Sequence, residues 1–303
     1  MHCCYCSDDA DATVAFLDRS IGLSARATSK GIRADGSPLG IERTVESDVC
    51  LVYDARGGRI SPAIEVHGWI DPPAVGEPYA DPTNIGVQAV GVAVPTLDDT
   101  LGRLMSDGAS VVGRTDDDPL ALGGPTAIVR GPDGVTFDVV ERRDVRETRL
   151  AHLRVTCAEL TRSVEWYAAL GWSLVEEPRD MAVDGALLGL GPRSVAGTVA
   201  RLRLPDEELC LQLVEWSEPA SHGAPYECAN HRGLYRLALG VEDTRAATQE
   251  LVDAGWAPTA PPDLIELPGT KVPDMWIAFF ADPDGIVVQL VERARDAFAS
   301  AAR

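Results

Sequence analysis

The sequence predicts an α+β chain built from four βαβββ units, and three observations carry that reading. Gly131-Pro132-Asp133-Gly134 returns half a chain later as Asp282-Pro283-Asp284-Gly285, and each copy runs into an apolar strand ending Val-Glu-Arg. A short strand followed by an amphipathic helix recurs four times, and β-rich segments follow each helix. A Pro-Asp-Gly turn also fixes the register of the strand after it, so the fourth residue past the glycine fills equivalent slots: Asp138 in one copy, Gln289 in the other.

The units follow in order. Residues 2–7 with 11–21 open the first, ending at Gly22. Residues 87–94 with 98–107 open the second, capped by Asp98 and stopped at Gly108. Residues 151–157 with 161–170 open the third, stopped at Gly171, and residues 235–241 with 243–254 open the fourth. Asp243 suits the start of that last helix because its carboxylate can accept from free backbone N–H groups, and Gly255 suits its end. The later strands read as 49–53 and 62–69, 126–130 and 135–141, 198–204 and 209–216, and 276–281 and 286–292.

Chain order then suggests two domains, 1–145 (units 1–80 and 81–145) and 146–303 (units 149–220 and 230–295). The Pro-rich run at 71–78 and the charged run Arg142 to Arg149 serve as linkers. Residues 257–274 carry five prolines and read as an irregular loop, a lid over a cavity.

Among 303 residues, 27 Lys and Arg face 47 Asp and Glu, a net charge of -20. Such a surface repels phosphate backbones, which excludes nucleic acid as a partner. No apolar run is long enough for a membrane span and no leader pattern opens the chain, so a cytoplasmic protein is expected. Seven cysteines in a large chain of this kind read as reduced thiols, with Cys3, Cys4 and Cys6 packed as small hydrophobes on a strand. No dinucleotide fingerprint appears, and no cofactor is expected.

Four such units, paired and closed by Pro-Asp-Gly turns, resemble the vicinal oxygen chelate superfamily (glyoxalase/bleomycin resistance/dioxygenase), over nearly the whole chain. The stretch Pro268 to Gly285 is similar to the closing motif of tandem members from actinomycete natural-product pathways. The resemblance implies two cup-shaped domains around small-molecule cavities, with any metal ligands on the first and last strands of each unit. It places His152, Gln212, Arg236 and Gln289 in the carboxyl-terminal cup, and His2, Glu65, Ala89 and Asp138 in the amino-terminal one. Guanidinium has no lone pair and repels a cation, so no metal is expected around Arg236. His2, Glu65 and Asp138 remain the candidate metal set.

The function expected on that basis is metal-independent, non-redox dehydration, cyclisation or ketalisation of an aromatic polyketide-like molecule. His152 would move the proton and Arg236 would stabilise charge on oxygen. Gln212, Gln289, Tyr235, Asp274 and Trp276 would bind substrate. Trp166 and Trp172 are assigned to the core. Two other functions stay open: sequestration of an antibiotic or pathway intermediate, and a metal-dependent extradiol dioxygenase or glyoxalase-type lyase. Structural roles also stay open, with His152 a satisfied strand residue, Arg236 paired to Glu215 or Asp274, and Gln212 bridged to Gln289. A tandem chain fits a monomer or a homodimer.

Overall fold

The computed structural model describes residues 1–58, 60–205, 207–266 and 274–293. The first unit comprises β1 (His2–Ser7), α1 (Ala10–Phe16), β2 (Ser24–Asp35), β3 (Thr44–Tyr53) and β4 (Ala63–Asp71). The second comprises β5 (Gly86–Val94), α2 (Leu97–Ser106), β6 (Ser110–Thr115), β7 (Thr126–Arg130) and β8 (Thr136–Glu141). The third has β9 (Arg149–Thr156), α3 (Leu160–Ala169), the short β10 (Ser173–Leu174) and β11 (Arg179–Asp184), then β12 (Ser194–Arg203) and β13 (Cys210–Glu218). The fourth has β14 (Gly233–Val241), α4 (Thr244–Asp253), β15 (Pro258–Glu266), β16 (Asp274–Ala281) and β17 (Val287–Glu292).

The units are as expected, but their pairing is not. The eight-stranded sheet runs β15-β16-β17-β14-β1-β4-β3-β2, which joins the fourth unit to the first. The nine-stranded sheet runs β10-β12-β13-β9-β5-β8-β7-β6, with β11 on β12, and joins the third unit to the second. Each seam is antiparallel, β1 on β14 and β5 on β9. The sequential pairing at 1–145 and 146–303 is therefore corrected: each half of the chain gives one unit to each curled sheet. Nothing local in a strand decides which first strand it meets, because every unit offers the same kind of apolar edge.

The helix-bearing faces of both sheets pack into one core that includes Leu17, Val52, Leu97, Phe137, Leu153, Trp166, Leu237 and Phe280. Strand alternation sends the opposite residues into the two cups. Both Pro-Asp-Gly turns tie one sheet to the other. Tyr5 donates to Asp133 Oδ1 at 2.5 Å and Thr13 to Asp133 Oδ2 at 3.2 Å, while the Ala158 N–H donates to Asp284 Oδ2 at 3.0 Å. Gly134 and Gly285 have φ of +89° and +93°, the left-handed turn that glycine permits.

A glutamate at or near the end of three last strands has a structural use that the sequence reading missed. Glu141, Glu215 and Glu292 accept from the first N–H of α2, α3 and α4 (Leu97, Leu160 and Thr244) at 2.9, 2.7 and 3.3 Å. A carboxylate there answers an unpaired donor and the positive end of the helix. Thr96, not Asp98, is the N-cap of α2, whereas Asp243 accepts from the N–H groups of Arg245 and Ala246 as expected. The first unit lacks such a glutamate and uses Asp9, which accepts from Ala12 N.

Residues 258–266 are an edge strand rather than an irregular loop, because proline is tolerated where one side of the ladder is unpaired. The pairing slips at Pro258/Ala260 and Ala260/Asp263. The rest of the expected lid, 267–273, lies outside the described residues. Among the described residues, no helix is long and apolar enough to cross a membrane, and all seven cysteines are free thiols.

Candidate functional site

In the eight-stranded cup, β1, β4, β14 and β17 aim His2, Cys4, Glu65, His67, Arg236 and Gln289 at one another. Arg236, only 4% exposed, is the hub. Its Nη2 lies 2.7 Å from Glu65 Oε2, its Nε donates to Gln289 Oε1 at 3.0 Å, and its Nη1 donates to Cys4 Sγ at 3.4 Å. His67 Nε2 is 3.5 Å from Arg236 Nη2. The same Glu65 oxygen lies 3.4 Å from His2 Nε2 and 3.3 Å from His67 Nε2.

These contacts set opposite protonation states on the two histidines. Burial lowers the pKa of His2 and prevails over Glu65, so that ring is neutral near pH 7. Burial also opposes charge on His67, but Cys4 and Glu65 outweigh it and hold its pKa at about 9. Burial would raise Glu65, yet Arg236, His67 and His2 keep it well below the usual carboxylate range. Two like groups pushed apart by their surroundings form an acid and a base. Apolar walls surround them: Trp69, Tyr235, Tyr226, Ile41 and Val45 on one side, Ile277, Phe279 and Val291 on the other.

The nine-stranded cup is closed around a different pair. Arg154 Nε and Nη2 donate to Asp138 Oδ2 and Oδ1 at 2.8 and 2.9 Å, and His152 Nε2 lies 3.1 Å from Oδ2. Burial would raise the Asp138 pKa, but Arg154 and His152 hold it far below the usual range. Gly91 makes room for His152, since a Cβ there would lie 2.0 Å from the imidazole. Leu120, Ala121 and Leu122 reach into this cup and pack with Val140, Val183, Val195, Val199 and Trp216. Asp118 holds that loop by accepting from Leu122 N at 2.6 Å and Gly123 N at 2.9 Å, and Gln212 Nε2 donates to the Leu120 carbonyl. Side chains of the protein itself fill the space a ligand would need.

Several expected groupings are therefore corrected. His152 does not face Arg236: it sits in the nine-stranded sheet on Asp138, and Arg236 sits in the eight-stranded sheet on Glu65. Gln212 and Gln289 are divided in the same way and form no bridge. His2 and Glu65 stay together, while Asp138 belongs to the other cup. The carboxylate partner of Arg236 is Glu65, not Glu215 or Asp274. Tyr235 does lie in the cluster beside Arg236. Trp276 does not, because it stands on the helix face of β16 with Arg245 Cζ 4.7 Å from its ring, and Asp274 is exposed at the start of that strand. Trp166 and Trp172 are in the core as assigned.

His67 and Arg154 were missed, and Cys4, expected to pack as a small hydrophobe, instead accepts from Arg236. Each lies two positions past a residue that was singled out, so strand alternation alone puts it on the same face.

A divalent metal, which the family resemblance implies for some members, does not fit either cup as built. Cys4, Glu65 and His67 offer ligand atoms within 4.8 Å of one another. The Arg236 guanidinium contacts all three, however, and a fixed positive charge there would repel a cation. In the other cup both oxygens of Asp138 are taken by Arg154.

Residues 149–290 match the model of the Glyoxalase/Bleomycin resistance protein/Dioxygenase superfamily. No curated protein matches the chain. The fold is that of glyoxalase I from Zea mays, at 19% identity and a TM-score of 0.70, over 99% of this chain and 93% of that one. A putative dioxygenase from Bacillus subtilis subsp. subtilis str. 168 superposes at 12% identity and a TM-score of 0.62, over 96% and 84% of the two chains.

Proposed function

With a vicinal oxygen chelate fold as premise, we propose that this protein is an enzyme whose working site is the eight-stranded cup, and that Arg236 there does the work of a Lewis acid. One observation carries the reading: the guanidinium touches Glu65, Gln289, Cys4 and His67 at once, in the middle of a set of side chains suited to holding a cation. A fixed positive charge in a cup shielded from water stabilises an oxyanion as it forms and needs no reorganisation at that moment. His67 is the proton donor and neutral His2 the acceptor, with Glu65 orienting both rings.

That equipment suits non-redox proton transfer on an oxygenated small molecule: dehydration, cyclisation or ketalisation. Apolar and aromatic walls suit a flat substrate. An aromatic polyketide is one such molecule, and its assignment rests on the resemblance read from the sequence. A glyoxalase I and a putative dioxygenase among the structural neighbours agree with a small-molecule enzyme.

The test is a thermal-shift screen of polyhydroxylated aromatic ketones, followed by mass spectrometry of any stabilising compound after prolonged incubation. A lost or rearranged water is the expected product signature. Arg236→Met should cut turnover by about 100-fold or more, the size of effect seen when one oxyanion donor is removed. Dialysis against a chelator should leave turnover unchanged. Turnover that survives Arg236→Met, or that needs added metal, refutes the proposal, and tight binding with the compound recovered intact favours sequestration.

A further inference from the structure

The nine-stranded cup is stoppered by a piece of its own chain, the connection from β6 to β7. Leu120, Ala121 and Leu122 are 1%, 4% and 6% exposed, although Asp116, Asp117 and Asp118 before them and Gly123 after them are exposed. The chain dips into the cup for three residues and comes straight out again. Their side chains pack on Ile128, Val140, Val183, Val199 and Trp216, the apolar lining of the cup. Two features make this seat a loose one. Among the described residues, the bond from Gln212 Nε2 to the Leu120 carbonyl is the one hydrogen bond that ties the tip to the sheet, since those that Asp118 accepts from Leu122 N and Gly123 N stay within the loop. Ala121 has a φ of +60°, alone among the described non-glycine residues in being positive, and that left-handed backbone crowds its Cβ.

The polar floor beneath the tip is unfinished. Arg154 on β9 and Gln212 on β13 are register partners, each 1% exposed. Asp138 takes Nε and Nη2 of the arginine, but Arg154 Nη1 has no acceptor and Gln212 Oε1 has no donor. A hydroxyl answers both from a single atom, accepting from one and donating to the other. A further negative charge is not called for, because Asp138 already balances Arg154.

We propose that residues 116–124 are a displaceable plug, and that the nine-stranded cup takes a neutral apolar molecule bearing a hydroxyl group, which replaces the Leu120–Leu122 tip and bridges Arg154 and Gln212. The room for the ligand is the room that the tip vacates, two leucine side chains and an alanine, which one small ring fills. The seated tip keeps the apolar lining from water until such a molecule competes for it. This second site lies in the other sheet from Arg236 and its neighbours.

The probes are p-cresol and toluene, which share a ring and a methyl group and differ in the hydroxyl, each titrated into the full chain at pH 7 by calorimetry. p-Cresol should bind about 5-fold more tightly, the worth of a neutral hydrogen bond. Two substitutions in the loop should move the plug in opposite directions. Asp118→Ala removes the acceptor that shapes the tip and should tighten both probes by about 10-fold, because affinity scales with the fraction of molecules whose cup is open. Ala121→Gly removes the crowded Cβ, seats the tip more firmly and should weaken both by about 3-fold. Gln212→Met takes the acceptor from the hydroxyl and should cut the preference for p-cresol to about 2-fold or less. Circular dichroism establishes that each variant folds, and Ala121→Gly, which loses only a methyl group, keeps the test valid if another variant does not. Failure of folded Asp118→Ala to bind either probe, a wild-type preference near 1, or shifts of the same sign in the two loop variants overturns the proposal. Binding that ignores both loop variants overturns it too, since the probe then sits elsewhere.

Discussion

Replacing Arg154 with methionine should damage stability far more than chemistry. The wild-type pair is fully enclosed, with Asp138 0% and Arg154 1% exposed and two hydrogen bonds of 2.8 and 2.9 Å between them. Breaking a buried pair from one side strands the other charge, at a cost of about 3–5 kcal/mol. His152 Nε2, 3.1 Å from the same carboxylate, remains as a hydrogen-bond partner, which favours the lower end. A loss of about 3 kcal/mol corresponds to a fall in Tm of roughly 5 °C for a chain of 303 residues. Removing both charges in Arg154→Met/Asp138→Leu should recover most of that, since apolar replacements of a buried pair are often neutral or better. Urea and thermal unfolding of the wild type, both single variants and the double variant give the coupling between the two residues directly. A single-variant loss under about 1 kcal/mol, or a double variant no more stable than Arg154→Met, would show that the pair does not hold this cup.

Two further outcomes follow from packing and charge. Gly91→Ala should be strongly destabilising in urea unfolding, because the new Cβ would lie 2.0 Å from the His152 ring and push it off Asp138. Stability should also fall as pH rises through two windows, by up to about 1.4 kcal/mol per pH unit for each group. Burial raises Asp282 from 3.8 to about 7, so the folded state holds its proton and stability declines between those values. His67 is raised from 6.5 to about 9, so its contribution is complete below 6.5 and is lost by 9. Asp282→Asn should flatten the lower window in urea titrations and leave the upper one, and an unaltered lower window would contradict the assignment.

Much of this fold was legible because it is written in local patterns. Period-two apolar strands, four amphipathic helices and the two Pro-Asp-Gly turns located the units to within a few residues. What escaped was either too polar or too distant. β2 is almost wholly solvent-facing, and its sequence, Ser-Ala-Arg-Ala-Thr-Ser-Lys, has no buried face to reveal it. β15 hides behind prolines that only an edge can accept. The seam between β1 and β14 joins residues such as Cys3 and Leu237 across most of the chain, and Leu237 would sit equally well on β5 by any local criterion. Once that seam was misplaced, the right residues were assembled into the wrong groups. His2 and Glu65 were found, but their partner Arg236 was assigned to His152. The tighter pair in the other cup was half seen, because the slot rule took one residue per strand and passed over Arg154.

In both cups the ion pair joins the two halves of the chain with the same polarity. The carboxylates, Glu65 and Asp138, come from the first half, and the guanidiniums, Arg236 and Arg154, come from the second. Two copies of the first half brought together would bury carboxylates with no cation to meet them, and two copies of the second would set guanidinium against guanidinium. The halves are thus complementary rather than interchangeable.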